Sequence, residues 1–211
     1  MTVRVLIADD QEMVRTGFAM ILAGAGGIEV VAECGDGLTA LTAIRTHRPN
    51  VALLDIRMPR LTGLEVARQV VDLTNVVIVT TFGEDEYVDE ALTIGACGFL
   101  LKDSGPAMLV AAVRAAALGD ALISPELTVP LLARTRGSTR RGARDLPPLS
   151  NRELEVVRLV ARGRTNVEIC DTLHIALGTV KSHLTSIQQR LGARNRVEIA
   201  ARAWESGLMD S

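Results

Sequence analysis

Residues 3–10 read VRVLIADD, an aliphatic and β-branched run that ends abruptly in two carboxylates. A run of that length and composition predicts a buried strand. The segment after it places Val14, Phe18, Ile21 and Leu22 at helical spacing, so the opening reads strand, acidic pair, helix. The same alternation recurs along the first half of the chain. Strands are predicted at 28–32, 51–54, 76–79 and 98–101, and helices at 38–46, 63–71, 85–94 and 107–118.

The strand segments are continuous apolar runs rather than alternating ones, which is the mark of a parallel sheet buried on both faces by its crossover helices. The expected fold is therefore α/β, a doubly wound five-stranded parallel sheet. In such sheets ligands lie beyond the carboxyl ends of the strands. That rule singles out Asp9, Asp10, Asp55, Thr80 and Lys102.

Working outward, residues 135–148, TRGSTRRGARDLPP, are rich in Arg, Gly, Ser and Pro and offer little to bury, so 124–148 is expected to be a flexible basic linker. Beyond it only helical patterns remain, at 151–162, 165–173, 179–191 and 197–205. The expected organisation is a domain over 1–123, the linker, and a small all-α four-helix domain over 149–211. Charge divides in the same way. Residues 1–123 carry 9 Lys/Arg against 16 Asp/Glu, and residues 124–211 carry 14 against 9. A basic module beside an acidic one fits a polyanion meeting only the second half.

The composition excludes several classes. Five aromatic residues in 211 make base stacking on single strands an unsuitable mechanism. Cys34, Cys97 and Cys170 form neither a disulfide framework nor a C-x-x-C pair, which fits a reducing compartment. No uninterrupted apolar stretch reaches the ~18 residues of a membrane span, and the acidic opening is wrong for a signal peptide. A soluble cytoplasmic protein without membrane contact is expected. No G-x-G-x-x-G follows the first strand, since Gly24, Gly26 and Gly27 come after the first helix, so a dinucleotide enzyme is disfavoured.

Asp9, Asp10 and Asp55 converging at one sheet edge would repel one another and call for a cation. Oxygen ligands in so small a set suit Mg²⁺, which keeps waters and accepts phosphate oxygens. Thr80 and Lys102 supply the hydroxyl and the cation that a phosphoryl group on one of the carboxylates would need. Taken singly, Asp9 and Asp10 could be helix caps and Lys102 a solvated strand end. Jointly, the residue types at the ends of four strands favour phosphoryl chemistry.

Asp9-Asp10, Asp55 within DIRMPRLTG, Thr80 within VTTF and Lys102 within GACGFLLKD resemble the signature of response-regulator receiver domains, over residues 1 to about 120. The resemblance implies a flavodoxin-like fold in which Asp55 accepts phosphate from a sensor histidine kinase. It implies that Asp10, Asp55 and the Arg57 carbonyl bind Mg²⁺, with Asp9 acting through water, and that Thr80 and Lys102 contact the phosphoryl group. Phe99 falls where the family places an aromatic switch coupled to Thr80, although core packing explains it equally well. Tyr87 and Phe82 are read as packing or interface residues.

In the second half, LSNRELEVVRLVARGRTNVEI, GTVKSH and RLGARNRVEIAARAWESGL resemble the four-helix LuxR-type helix-turn-helix domain, over residues 149–209. Receiver followed by this domain is the arrangement of the NarL/FixJ subfamily. The resemblance implies that the TVK segment opens the recognition helix, with Lys181, Ser182 and Thr185 facing bases and Thr179 and Val180 near the DNA backbone. His183 is a packing or phosphate contact and Arg190 a phosphate contact. Ala176 stands where the family often has a capping Ser, and Thr185 where a longer basic side chain sometimes reads the groove. The last helix, through Val197, Ala200 and Trp204, is the implied dimer surface, though bundle core would explain the same stripe.

The function expected is a DNA-binding regulator rather than an enzyme. Phosphorylation of Asp55 would control dimerisation and binding to double-stranded promoter DNA, with RNA polymerase as a possible further partner. A transcription factor that ignores phosphate, with its receiver as a dimer or ligand module, is the nearest alternative.

Overall fold

The structure is a computed structural model and describes residues 2–81, 86–120, 122–123 and 147–209. The chain divides into two compact units, residues 1–131 and 132–211. Residues 124–146 of the expected linker, and Phe82, lie outside the described residues.

The first unit alternates strand and helix as the opening stretch predicts: β1 Val3–Ala8, α1 Glu12–Gly24, β2 Ile28–Cys34, α2 Gly37–His47, β3 Val51–Asp55, α3 Gly63–Val70, β4 Asn75–Thr80, α4 Glu86–Ile94, β5 Gly98–Leu101 and α5 Pro106–Leu118. All strand pairs are parallel, in the order β2-β1-β3-β4-β5. A sixth strand, β6 Leu122–Ile123, extends the sheet beyond the five expected by pairing with Gly98 and Phe99. Two residues are too short a run to register as a strand in the sequence.

The continuous apolar strands divide their side chains between two cores, because successive residues point to opposite faces. Leu6, Ala8, Leu54, Ile78 and Phe99 pack with residues of α2, α3 and α4 on one face. Val5, Ile7, Leu53, Val77 and Leu100 pack with Phe18 and Leu22 of α1 and Leu109 and Val113 of α5 on the other. β1 lies between β2 and β3, so the chain reverses its direction of winding at β1 and β3, and their carboxyl ends, Asp9 and Asp55, open at that reversal.

The second unit contains α6 Asn151–Ala161, α7 Asn166–Leu173, α8 Leu177–Leu191 and α9 Arg196–Glu205. Ser150 with Glu153, and Thr165 with Glu168, form reciprocal capping boxes that start α6 and α7. His174 ends α7 in the left-handed conformation, φ 53°. That sharp reversal starts α8 at Leu177, two residues before the expected Thr179. Val156, Val160, Ile169, Val180, Ile187, Ile199 and Ala203 form an entirely aliphatic core.

Candidate functional site

Asp9 and Asp55 are almost fully buried, 2% and 4% exposed, while Asp10 beside them is exposed. Lys102 joins the buried pair: its Nζ lies 2.8 Å from Asp9 Oδ2 and 3.0 Å from Asp55 Oδ2. Asp9 is held on every side. Its Oδ1 accepts from the Gln11 N–H (2.9 Å), its own N–H donates to the Cys34 carbonyl (3.1 Å), and its carbonyl accepts from Arg15 Nη1 (2.8 Å).

Asp9, Asp10 and Asp55 each present one carboxylate oxygen within 4.8 Å of the others. Two buried carboxylates and a third at the rim, all hard oxygen donors, fit a small divalent cation that retains several waters. Burial and then the neighbouring Asp9 charge push the Asp55 carboxyl up to about 6, against the pull of Lys102. Burial drags Lys102 downward, but its hydrogen bonds to Asp9 and Asp55 outweigh this and keep it above the ordinary lysine range. The lysine is therefore firmly cationic in the carboxylate pocket. Cys34 and Cys97 are poor nucleophiles, since burial pushes their thiols up to about 11 and about 12.

Thr80 is fully buried at the end of β4, its hydroxyl donating to the Thr81 carbonyl (3.3 Å) and its carbonyl accepting from the Lys102 N–H (2.7 Å). The strand ends that carry Thr80 and Lys102 are thus tied directly. Phe99 is fully buried, paired in register with Ile78, and Tyr87 packs half-buried against the same core. The Arg57 side chain is exposed in the loop after β3.

Two glycines that the sequence reading passed over shape this loop. A Cβ on Gly63 would sit 2.0 Å from the Asp55 carbonyl oxygen, and one on Gly37 would sit 2.0 Å from the Leu61 carbonyl oxygen. Gly63 N–H donates to Ile56 (3.0 Å) and Gly37 N–H to Pro59 (3.2 Å). The loop that follows Asp55 is closed against its own strand and against the start of α2. The sequence signal was present, since Gly63 ends the quoted DIRMPRLTG stretch.

In the second unit, Gly178, Lys181, Ser182, Thr185 and Gln189 form one exposed stripe along α8, with Thr179 beside it. Ser182 Oγ donates to the Gly178 carbonyl (2.9 Å) and Thr185 Oγ1 to the Lys181 carbonyl (3.0 Å). The side chain of Val180, expected near the DNA backbone, is fully buried in the aliphatic core. His183 is half-buried at the edge of the stripe. Arg190, expected at phosphate, is engaged within the chain: Nη1 donates to the Pro148 carbonyl (3.0 Å) and Nε lies 3.5 Å from Glu153 Oε1. Arg196 Nη1 donates to Asn166 Oδ1 (2.6 Å).

The stripe on α9 divides. Ile199 and Ala203 are core, and Ala200 packs half-buried against it. Val197 is half-buried. Trp204 is 55% exposed, with its indole N–H donating to the Ala161 carbonyl (3.2 Å).

Comparison with known proteins places both units. Residues 5–114 match the family described as response regulator receiver domain, and residues 147–203 the family described as bacterial regulatory proteins, luxR family. The chain is 36% identical to YxjL, an uncharacterized transcriptional regulatory protein of Bacillus subtilis, over 98% of this chain and 97% of that one. It is 34% identical to the oxygen regulatory protein NreC of Staphylococcus carnosus over 98% and 99% of the two. Among solved structures, the response regulator ChrA of a heme-sensing two-component system is similar over 98% of both chains, at 32% identity and a TM-score of 0.55. With the two family matches on successive units, and relatives above 30% identity along nearly the whole length, the chain belongs to the NarL-type response regulators of two-component systems, transcription regulators that join a receiver domain to a LuxR-type DNA-binding domain.

Proposed function

We propose that Asp55 is the phosphoacceptor and that its phosphorylation by a sensor histidine kinase controls dimerisation and promoter binding by the second unit. The observation that carries this reading is the Lys102 ammonium shared between Asp9 and Asp55, 2.8 and 3.0 Å away. In the transfer, an Asp55 carboxylate oxygen bonds to phosphorus as the N–P bond of the kinase phosphohistidine breaks. The charge added at Asp55 draws Lys102 toward the phosphoryl oxygens and gives the Thr80 hydroxyl an acceptor in place of the Thr81 carbonyl. Asp9, Asp10, Asp55 and the Arg57 carbonyl would hold Mg²⁺, which would supply charge neutralisation for the incoming phosphoryl group.

Movement of Thr80 frees space beside β5, and Phe99 is the ring placed to respond, a bistable element of the kind that shifts populations. The phosphorylated receivers pair, and the paired units set two α8 helices into successive major grooves of promoter DNA. Lys181, Ser182 and Thr185 face the bases, Thr179 and the Val180 backbone lie by the phosphates, and Val197, Ala200 and Trp204 form the surface between copies. RNA polymerase is the partner through which a promoter-bound dimer acts, and the cytoplasm is where kinase, regulator and promoter meet. Among the described residues no helix is long and apolar enough to cross a membrane.

Intact-mass spectrometry after incubation with a small phosphodonor and Mg²⁺, with size-exclusion chromatography in parallel, tests the reading on wild type and Asp55→Asn. One added phosphoryl group on wild type alone, with a shift to dimer, is expected. Absence of the adduct would overturn phosphorylation control and favour a receiver that works as an unmodified dimer or ligand module.

A further inference from the structure

Among the described carboxylates of the second unit, Glu153 is the buried one. It is 4% exposed, and both of its oxygens are occupied. Oε2 accepts from the Ser150 N–H (2.8 Å) and the Ser150 hydroxyl (2.9 Å), which completes the capping box of α6. Helix capping asks nothing of Oε1. That oxygen instead accepts a 2.6 Å hydrogen bond from Ser186 Oγ on α8, with Arg190 Nε 3.5 Å away. Arg190 continues the chain of contacts to the Pro148 carbonyl, just ahead of α6.

Ser186 and Arg190 are four residues apart, so they lie on one face of α8. That face adjoins the one bearing Lys181, Ser182 and Thr185. At the other end of the helix the anchor is missing: the residue at the N-cap, Ala176, has no side-chain bond to the first turn. Apolar packing through Val180, Leu184 and Ile187 fixes the depth of α8 against the core. Such packing tolerates rotation and sliding far better than a directional, charge-assisted hydrogen bond does.

We propose that Glu153 is a positioning residue for DNA readout: a single buried carboxylate that, through Ser186 and Arg190, sets the rotation and height of the recognition helix relative to the start of the DNA-binding unit. The assignment rests on the proposed reading of α8 as the base-facing helix. It also gives Arg190 a role distinct from phosphate contact. A positioning contact acts on sequence discrimination, because base-edge hydrogen bonds are lost when the helix is misplaced by a fraction of an ångström. Phosphate contacts, which carry non-specific affinity and the salt dependence, are left in number.

The test uses the full-length chain. Wild type, treated with a small phosphodonor and Mg²⁺ as are all the variants, first selects duplexes from a random library, and binding is then measured to a selected duplex and to a random-sequence duplex of equal length across a salt series. Ser186→Ala removes the α8 end of the contact and leaves the α6 capping box intact. The ratio of selected to random affinity is expected to fall about tenfold with an unchanged salt slope, and Ser186→Thr, which keeps the hydroxyl, should restore the ratio. Arg190→Gln provides a second, exposed site less exposed to folding defects. Positioning predicts a lower ratio at constant slope, whereas a phosphate contact predicts a slope smaller by about one at constant ratio. Unchanged ratios in Ser186→Ala and Arg190→Gln overturn the positioning role. A wild type that selects no sequence would instead overturn the DNA-reading assignment on which this one stands.

Discussion

The carbonyl of Asp55 leaves no room for a side chain at Gly63, where a Cβ would lie 2.0 Å away. The loop that carries Arg57 therefore closes only because residue 63 is glycine. Gly63→Ala is expected to push that loop off β3, destabilising the receiver by about 1–3 kcal/mol and slowing phosphodonor labelling of Asp55. Urea unfolding and intact-mass time courses measure the two effects. Asp9, Asp55, Thr80 and Lys102 were legible in the sequence because each directly follows a buried apolar run. Gly63 stood in the quoted DIRMPRLTG stretch, but its close approach to the Asp55 carbonyl was not legible, because such an approach has no periodicity to betray it. The burial of the Val180 side chain was hidden for a related reason: the residues that open a helix look alike in sequence, but which face they occupy depends on where the helix begins.

At the scale of the element, α8 is the one described helix of the DNA-binding unit that starts without a side-chain cap. Ala176 occupies its N-cap without a side-chain bond, whereas α6, α7 and α9 are each capped by Ser150, Thr165 and Asn195. Ala176→Ser is expected to stabilise the DNA-binding unit by about 1 kcal/mol, read from its unfolding midpoint. α6 carries the pH dependence. The Ser186 hydroxyl first, then the Ser150 amide and hydroxyl and the Arg190 charge, hold Glu153 down at about 2, against burial, from an ordinary value of 4.5. A depressed acid contributes stability above its unfolded value and loses it as pH falls through the folded one. Stability of this unit should therefore decline between about pH 5 and pH 2, and Glu153→Gln should be less stable at neutral pH with a flatter profile over that window. Chemical unfolding at stepped pH measures the slope. The helices were readable as patterns of apolar spacing. The 2.6 Å contact of Ser186 with Glu153 spans 33 positions of sequence, and no local pattern encodes it.

For the whole molecule, the acidic pocket belongs to one unit and the exposed stripe of α8 to the other. A cation that binds the folded receiver alone stabilises that unit by mass action and leaves its neighbour untouched. Adding Mg²⁺ is expected to raise the receiver's melting transition without moving that of the DNA-binding unit. In a chelator at neutral pH, Asp55→Asn should melt higher than wild type, because a buried charge beside Asp9 is removed, and should respond less to Mg²⁺. Differential scanning calorimetry of both proteins, with and without the ion, is the check. The two-unit plan was visible as a change of period and of charge sign near residue 124. The sixth strand was not, because two residues joining an existing sheet edge draw their order from β5 rather than from their own composition.

The sparse aromatic content has a practical corollary. The chain has one tryptophan and one tyrosine. Trp204 leans on Ala161 at the rim of the DNA-binding unit, and Tyr87 packs beside the Phe99 core of the receiver. Nature has in effect labelled each half with its own chromophore. Selective indole excitation follows the surroundings of Trp204 in the DNA-binding unit, while phenol absorbance follows the receiver core around Phe99. The transmission of a signal from one half to the other can thus be timed in the unmodified protein, as two optical traces and the delay between them.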